Sequence, residues 1–178
     1  NFAQKKSSHE IMEEHNCRYG INGGFYTTDN KPLGLFIADT KIISGPVEST
    51  LINGFFLKTT NDILYLTTEP TEAIAIFTLQ SGPDFTPESV LKIKDDEYAR
   101  RMLVVMDANG NFYFIAITEE SNIHSGPLFA DLPKIFQILN QQLTTYNVQL
   151  FLNLDGGSAS AFYATDGTKL QELVTIGS

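Results

Sequence analysis

Met102-Leu103-Val104-Val105-Met106 and Phe112-Tyr113-Phe114-Ile115-Ala116-Ile117 are two apolar runs rich in branched and aromatic side chains, separated by Asp107-Ala108-Asn109-Gly110-Asn111. Runs of that length and content suit strands, and an Asn-Gly inside the connection suits a tight antiparallel reversal. The stretch reads as a β-hairpin. The Asp107 turn also has the look of a calcium loop, but the distal glutamate of such a loop is missing, so a hairpin turn fits better.

The same grammar repeats on both sides. Leu33 to Ala38 and Lys41 to Ile43 read as partners across Asp39-Thr40, and Gly54 to Thr59 and Ile63 to Thr67 as partners about Asn61-Asp62. Ala73 to Leu79 fits helix or strand by period alone, and its Ile, Phe and Thr content favours strand. Arg18 to Ile21 and Val148 to Leu154 are strand-like, with Phe162 to Ala164 and Leu173 to Ile176 as short closing strands. Two segments read as helices. Ser7-Ser8 caps one that runs through Ile11, Met12 and Glu14, and Pro133 opens another that reaches Leu143. Together these predict an α+β fold, with a mixed, mainly antiparallel sheet and a few packed helices in a single domain over residues 1–178. The first residues read as the middle of a helix-to-strand passage, which implies upstream strands in the full protein.

The chain carries 12 basic and 21 acidic residues, a formal net charge of −9, which argues against a nucleic-acid binder with its basic stripe. No run approaches the roughly 20 apolar residues of a membrane span. Cys17 is the sole cysteine, so no internal disulfide forms. That fits a cytoplasmic protein and equally a disulfide-poor bacterial secreted one, and an opening without Met fits a processed, extracytoplasmic product. His15 and Cys17 stand without further ligands nearby, and His9 and His124 are distant in sequence. No metal site and no cofactor are expected.

Two segments carry chemistry. Val148 to Leu154 ends in Asp155-Gly156-Gly157-Ser158-Ala159-Ser160, which sets a carboxylate at a sheet end beside a flexible, hydroxyl-bearing turn. Ile21-Asn22-Gly23-Gly24-Phe25-Tyr26 repeats the pattern near the other terminus. Brought together, they would form a small-residue floor suited to a sugar or a phosphate.

Asn22-Gly23-Gly24-Phe25, Pro32-Leu33-Gly34-Leu35, Asn53-Gly54-Phe55-Phe56, Gln80-Ser81-Gly82-Pro83, Arg100-Arg101 and Leu154-Asp155-Gly156-Gly157 fall in one order along the chain. In that order the chain resembles the phosphodiester glycosidase domain family, which includes the lysosomal uncovering enzyme, from about Asn22 to Tyr163. The resemblance implies an enzyme that removes a sugar, typically N-acetylglucosamine, from a phosphodiester. It also implies site roles. Asn22, Gly23 and Gly24 form one turn, Gln80, Ser81 and Gly82 a second, and Asp155, Gly156 and Gly157, with Ser158 and Ser160, a third. Arg101 takes the arginine position, with Arg100 as its rival, since alternation lets only one of them face the site. Two departures bear on substrate rather than fold. The last turn reads Asp-Gly-Gly-Ser-Ala-Ser where a third glycine and adjacent serines are common in the family, and Met102 to Val105 lacks the usual small residues.

The chemistry of these residue types agrees with the roles. A guanidinium meets a phosphodiester's single charge bidentately, and Asn, Gln and Ser offer the mixed donors and acceptors that sugar hydroxyls need. A carboxylate can steady positive charge at an anomeric carbon, attack it, or activate water. Asp155 is the expected carboxylate, and Asp29, Glu48 and Asp84 are candidates for a second. Two other functions fit the same residues: a carbohydrate or glycan-phosphate binding module without turnover, and a metal-dependent phosphodiesterase.

Overall fold

The backbone N–H and C=O groups of these strands are met partly in hairpins between consecutive strands and partly by pairings between strands distant in sequence. The computed structural model describes residues 6–69, 75–142 and 147–175, where twelve strands form three sheets and every strand pairing is antiparallel. The expected ends at Ala73, Leu143 and Ile176 lie outside those residues.

The five-stranded sheet runs in the order β3-β2-β6-β4-β5: Lys41–Ser44, Phe36–Ala38, Ala75–Ser81, Gly54–Thr59 and Leu64–Thr67. The four-stranded sheet is β7-β10-β8-β9: Asp84–Phe85, Val148–Asn153, Arg101–Asp107 and Phe112–Ile117. A small sheet joins β1 (Tyr19–Ile21), β11 (Phe162–Thr165) and β12 (Leu170–Leu173). Two α-helices accompany them, α1 (Ser8–Glu14) and α2 (Leu132–Gln142), with single 3₁₀ turns at Phe129–Asp131 and Gly157–Ala159.

The mainly antiparallel, single-domain expectation holds, and two parts of it are corrected: no described pairing is parallel, so the sheet is not mixed, and a few packed helices overstates the helix content. The fold is mostly antiparallel sheet with two helices. A parallel pair needs a crossover, and the one long return, through α2, brings β10 back antiparallel to β8 on the side away from β9. The hairpin reversals are as expected. Asp39 and Thr40 both have positive φ (49° and 65°), as does Asp62 (62°), which is the twist such tight turns require.

The core explains the unbroken apolar run of β8. Met102 and Val104 face Phe56 and Leu66 of the five-stranded sheet, together with Leu152 and Leu154. Leu103 and Val105 face the other way, onto Phe85, Phe129, Leu132, Phe136 and Phe151 beneath α2. A strand buried on both faces loses the polar alternation of a half-exposed one. Each such side chain contributes about 1.5–3 kcal/mol by leaving water.

α1 begins as its sequence requires, with a reciprocal capping box between Ser7 and Glu10. The Asp107 turn holds itself in the same way. Oδ1 accepts from the N–H groups of Asn109 (2.8 Å) and Asn111 (2.9 Å), and Oδ2 accepts from Asn111 Nδ2 (2.9 Å) and the Tyr113 hydroxyl (3.0 Å). These donors, the Asn111 side chain foremost, hold the carboxyl down at about 2. An unfolded Asp titrates near ~3.9, so the stability that Asp107 contributes is present above that value and lost as pH falls toward the folded one. Wild-type protein is expected to exceed Asp107→Asn in urea midpoint at pH 6, and to lose that advantage by about pH 2. A constant gap across that range would contradict the assignment.

Candidate active site

Strand direction gathers the expected motifs at one end of the molecule. β6 ends at Ser81, β10 ends at Asn153, and β8 starts there with Arg101, because Asn153 pairs with Leu103 while Val148 pairs with Asp107 at the far end. The loops leaving this end enclose a cleft of about 600 Å³.

Asp155 and Arg101 both line that cleft, with Gly82, Pro83, Asn153, Gly156 and Gly157. Asp155 is half-buried, and among the described residues it makes no ion pair. Burial pushes its carboxyl above the ordinary value, opposed by the Gly156 N–H. The Asp155 backbone is fixed from both sides. Its N–H donates to Gly23 O (3.2 Å), and its carbonyl accepts from Asn22 Nδ2 (2.7 Å). Asn22 Oδ1 in turn accepts from Ala161 N–H (3.0 Å). The Asn22 amide is therefore spent on latching the Asp155 turn to β1.

Arg101 is nearly buried and held in place. Nε donates to Pro127 O (3.1 Å), and Nη2 donates to Asp96 Oδ1 (3.2 Å) and to Glu97 O. The guanidinium lies over the Phe129 ring, 5.4 Å from its centroid. The expected bidentate fork is thus occupied by protein, and Nη1 is left without a partner among the described residues.

Arg100 points the other way, as strand alternation demands. It is buried behind the turn, where Nε donates to Gly157 O (3.1 Å) and Nη1 to Val174 O (2.9 Å). Its own carbonyl accepts from Gly157 N–H (3.1 Å). A Cβ on Gly156 would stand 2.8 Å from that carbonyl oxygen, so the turn must carry no side chain there.

The remaining expected residues sit around this centre. Gly23, Gly24 and Gln80 line an adjoining hollow of about 350 Å³ that shares Phe25, Tyr26 and Leu33 with the cleft. Gln80 is buried with all four of its amide positions engaged by backbone. Ser81 is fully buried and donates to Asn153 O (2.6 Å). Ser158 is exposed, Ser160 is buried with no partner for its hydroxyl among the described residues, and neither lines the cleft. Asp29, Glu48 and Asp84 do not line it either.

Sequence reasoning missed Asp95, Asp96, Glu97 and Asn153, which do line the cleft. The acidic run immediately upstream of Arg100-Arg101 reads as a solvated face. Its proximity to two arginines was the available signal. Asn153 donates through Nδ2 to Gly82 O (2.9 Å), and its buried Oδ1 has no partner among the described residues. Among the described residues no group of three metal-ligating side chains comes together, and no helix is long and apolar enough to cross a membrane.

Comparison with known proteins adds to the geometry. A family model described as phosphodiester glycosidase matches residues 15–175. Among solved structures, the zebrafish N-acetylglucosamine-1-phosphodiester alpha-N-acetylglucosaminidase catalytic domain, auto-inhibited by its pro-peptide, is similar in fold. The TM-score is 0.64 at 18% identity, over 90% of this chain and 58% of that one. The chain thus spans a little over half the length of that relative. No curated protein matches it.

Proposed function

We propose that this chain, which belongs to the phosphodiester glycosidase family, hydrolyses a sugar-1-phosphodiester and releases an N-acetylglucosamine-like sugar. The observation that carries the reading is a single cleft lined by an unpaired, half-buried carboxylate and a guanidinium engaged elsewhere. The substrate's anomeric carbon lies against Asp155, and a phosphoryl oxygen lies against Nη1 of Arg101.

Cleavage of the carbon–oxygen bond builds positive charge on the sugar and returns an electron pair to the phosphate. A carboxylate poorly solvated in the free enzyme meets that positive charge as it forms, so the interaction is stronger in the transition state than in the ground state. The departing phosphomonoester needs little protonation, which fits a site built around one essential acid. Gly82, Gly156 and Gly157 let the substrate approach the backbone, while Asn22, Gln80 and Ser81 fix the loops behind it.

A panel of sugar-1-phosphodiesters is expected to give free reducing sugar and phosphomonoester in equal amounts. In isotopically heavy water the label should enter the sugar. Label in the phosphate would assign a phosphodiesterase, and binding without consumption over hours would assign a binding module.

A further inference from the structure

We infer that Asp96 selects the charge of the bound phosphate, so that the cleft takes a monoanionic diester and rejects a dianionic monoester. The inference rests on the reading above, in which Arg101 meets the phosphate.

A guanidinium has five N–H donors. Here the Nε hydrogen goes to Pro127 O, and Nη2 serves Asp96 and Glu97 O. Among the described residues, Nη1 alone is left without a partner and so remains for a ligand. The cation is also paired before substrate arrives, and both partners are largely buried and held by further hydrogen bonds. The Arg101 side chain is 13% exposed and that of Asp96 is 11%. Asp96 is pinned from behind, with Oδ1 accepting from Phe129 N–H (3.0 Å) and Oδ2 from Ala130 N–H (2.8 Å), at the 3₁₀ turn that leads into α2. Arg101 thus meets a ligand with its charge already partly balanced by Asp96.

The other charges on the cleft wall have the same sign. Asp95, Glu97 and Asp155 join Asp96 against a single arginine. A phosphodiester brings one negative charge, shared by two free oxygens. A phosphomonoester ionises a second time near pH ~6, so at neutral pH it carries close to two charges and finds no second cation. Like charges in a partly desolvated cleft repel far more than in water. Carbon–oxygen cleavage turns the diester into such a monoester, so the same arrangement expels the phosphate product.

The test compares N-acetylglucosamine-1-(methyl phosphate) with N-acetylglucosamine-1-phosphate at pH 7.5, using the inhibition constant of the monoester and the KM of the diester. Where the diester binds without being consumed, calorimetric Kd values replace both. Wild-type protein is expected to bind the monoester at least about tenfold more weakly. Asp96→Asn, shown folded by circular dichroism, should narrow the gap below about threefold by tightening the monoester. Glu97→Gln, on the exposed lip, should narrow it by a smaller factor, and it carries the comparison alone if Asp96→Asn does not fold. Equal affinities in wild type, or an unchanged ratio in the folded variants, would overturn the inference even with turnover intact. Tight diester binding without consumption would instead defeat the glycosidase reading and leave the ratio to be judged by itself.

Discussion

Asp155→Asn is expected to lower kcat by on the order of 10³-fold, within the range typical of a lost acid, base or nucleophile, and to leave the fold in place. The structure separates the two effects. Asn22 and Gly23 hold Asp155 by its carbonyl and N–H, so the substitution leaves both latching bonds intact. Asparagine also matches the shape of the carboxylate, so the cleft keeps its form while losing the half-buried acid of the Asp155 turn. Stability should move the other way. Burial raises the folded-state pKa of Asp155. A carboxyl raised in this way favours the fold fully while protonated, below its unfolded value, and that advantage is lost as pH rises through the folded value. At neutral pH the wild-type protein therefore bears the cost of an ill-solvated charge that Asp155→Asn removes, and the variant should melt higher. The same shift predicts that wild-type activity falls in acid at a pH above the ordinary Asp range. Full activity in a folded Asp155→Asn would end the assigned role. A variant that melts lower than wild type would show that the carboxylate supports the fold rather than burdening it.

The parts of this protein that were legible in its sequence are those where local chemistry and tertiary structure ask for the same residue. Asp39-Thr40 and Asn61-Asp62 are polar residues that tolerate positive φ, and they sit where hairpins reverse. The apolar run before Asp107 becomes β8 because a strand buried between a sheet and a helix must be apolar on both faces, while the run after it becomes the half-buried edge strand β9. Strand alternation alone implied that only one of Arg100 and Arg101 faces the cleft, and only Arg101 lines it.

The illegible parts depend on pairing at long range. Nothing local says that β10 inserts between β7 and β8, which is what excludes a parallel pair and brings Asp155 to the end where Arg101 starts. Nor does a side-chain amide announce its partner. Asn22 and Gln80 have the donors and acceptors a sugar would need, yet both spend them on backbone from remote loops. Asp96 is the reverse case. In a run of three acids it reads as solvent-facing, and only the fold shows it wedged between Arg101 and the 3₁₀ turn before α2.

Gln80→Leu is expected to destabilise the protein by roughly 3–5 kcal/mol, through a mechanism that has little to do with volume. The Gln80 side chain is buried at the end of β6, where Oε1 accepts from Leu35 N–H (2.8 Å) and Val47 N–H (3.1 Å), while Nε2 donates to Val47 O (2.7 Å) and Ile52 O (2.8 Å). Val47 and Ile52 belong to the irregular segment between β3 and β4, which forms one wall of the cleft through Leu51 and Ile52. Leucine fills the same space but leaves two N–H groups and two carbonyls without their partners, and water reaches Leu35 poorly because that residue is fully buried. Loosening of the wall should raise KM more than it lowers kcat, since no group at the reacting bond is removed. Gln80→Glu separates hydrogen bonding from packing. At neutral pH a carboxylate would face two carbonyl oxygens, so this variant should be no more stable than Gln80→Leu. Protonation restores a donor, and burial against carbonyls raises the folded pKa, so its stability should recover as pH falls. A Gln80→Leu protein within about 1 kcal/mol of wild type by urea unfolding, or a Gln80→Glu protein indifferent to pH, would show that the segment is held by contacts other than this amide.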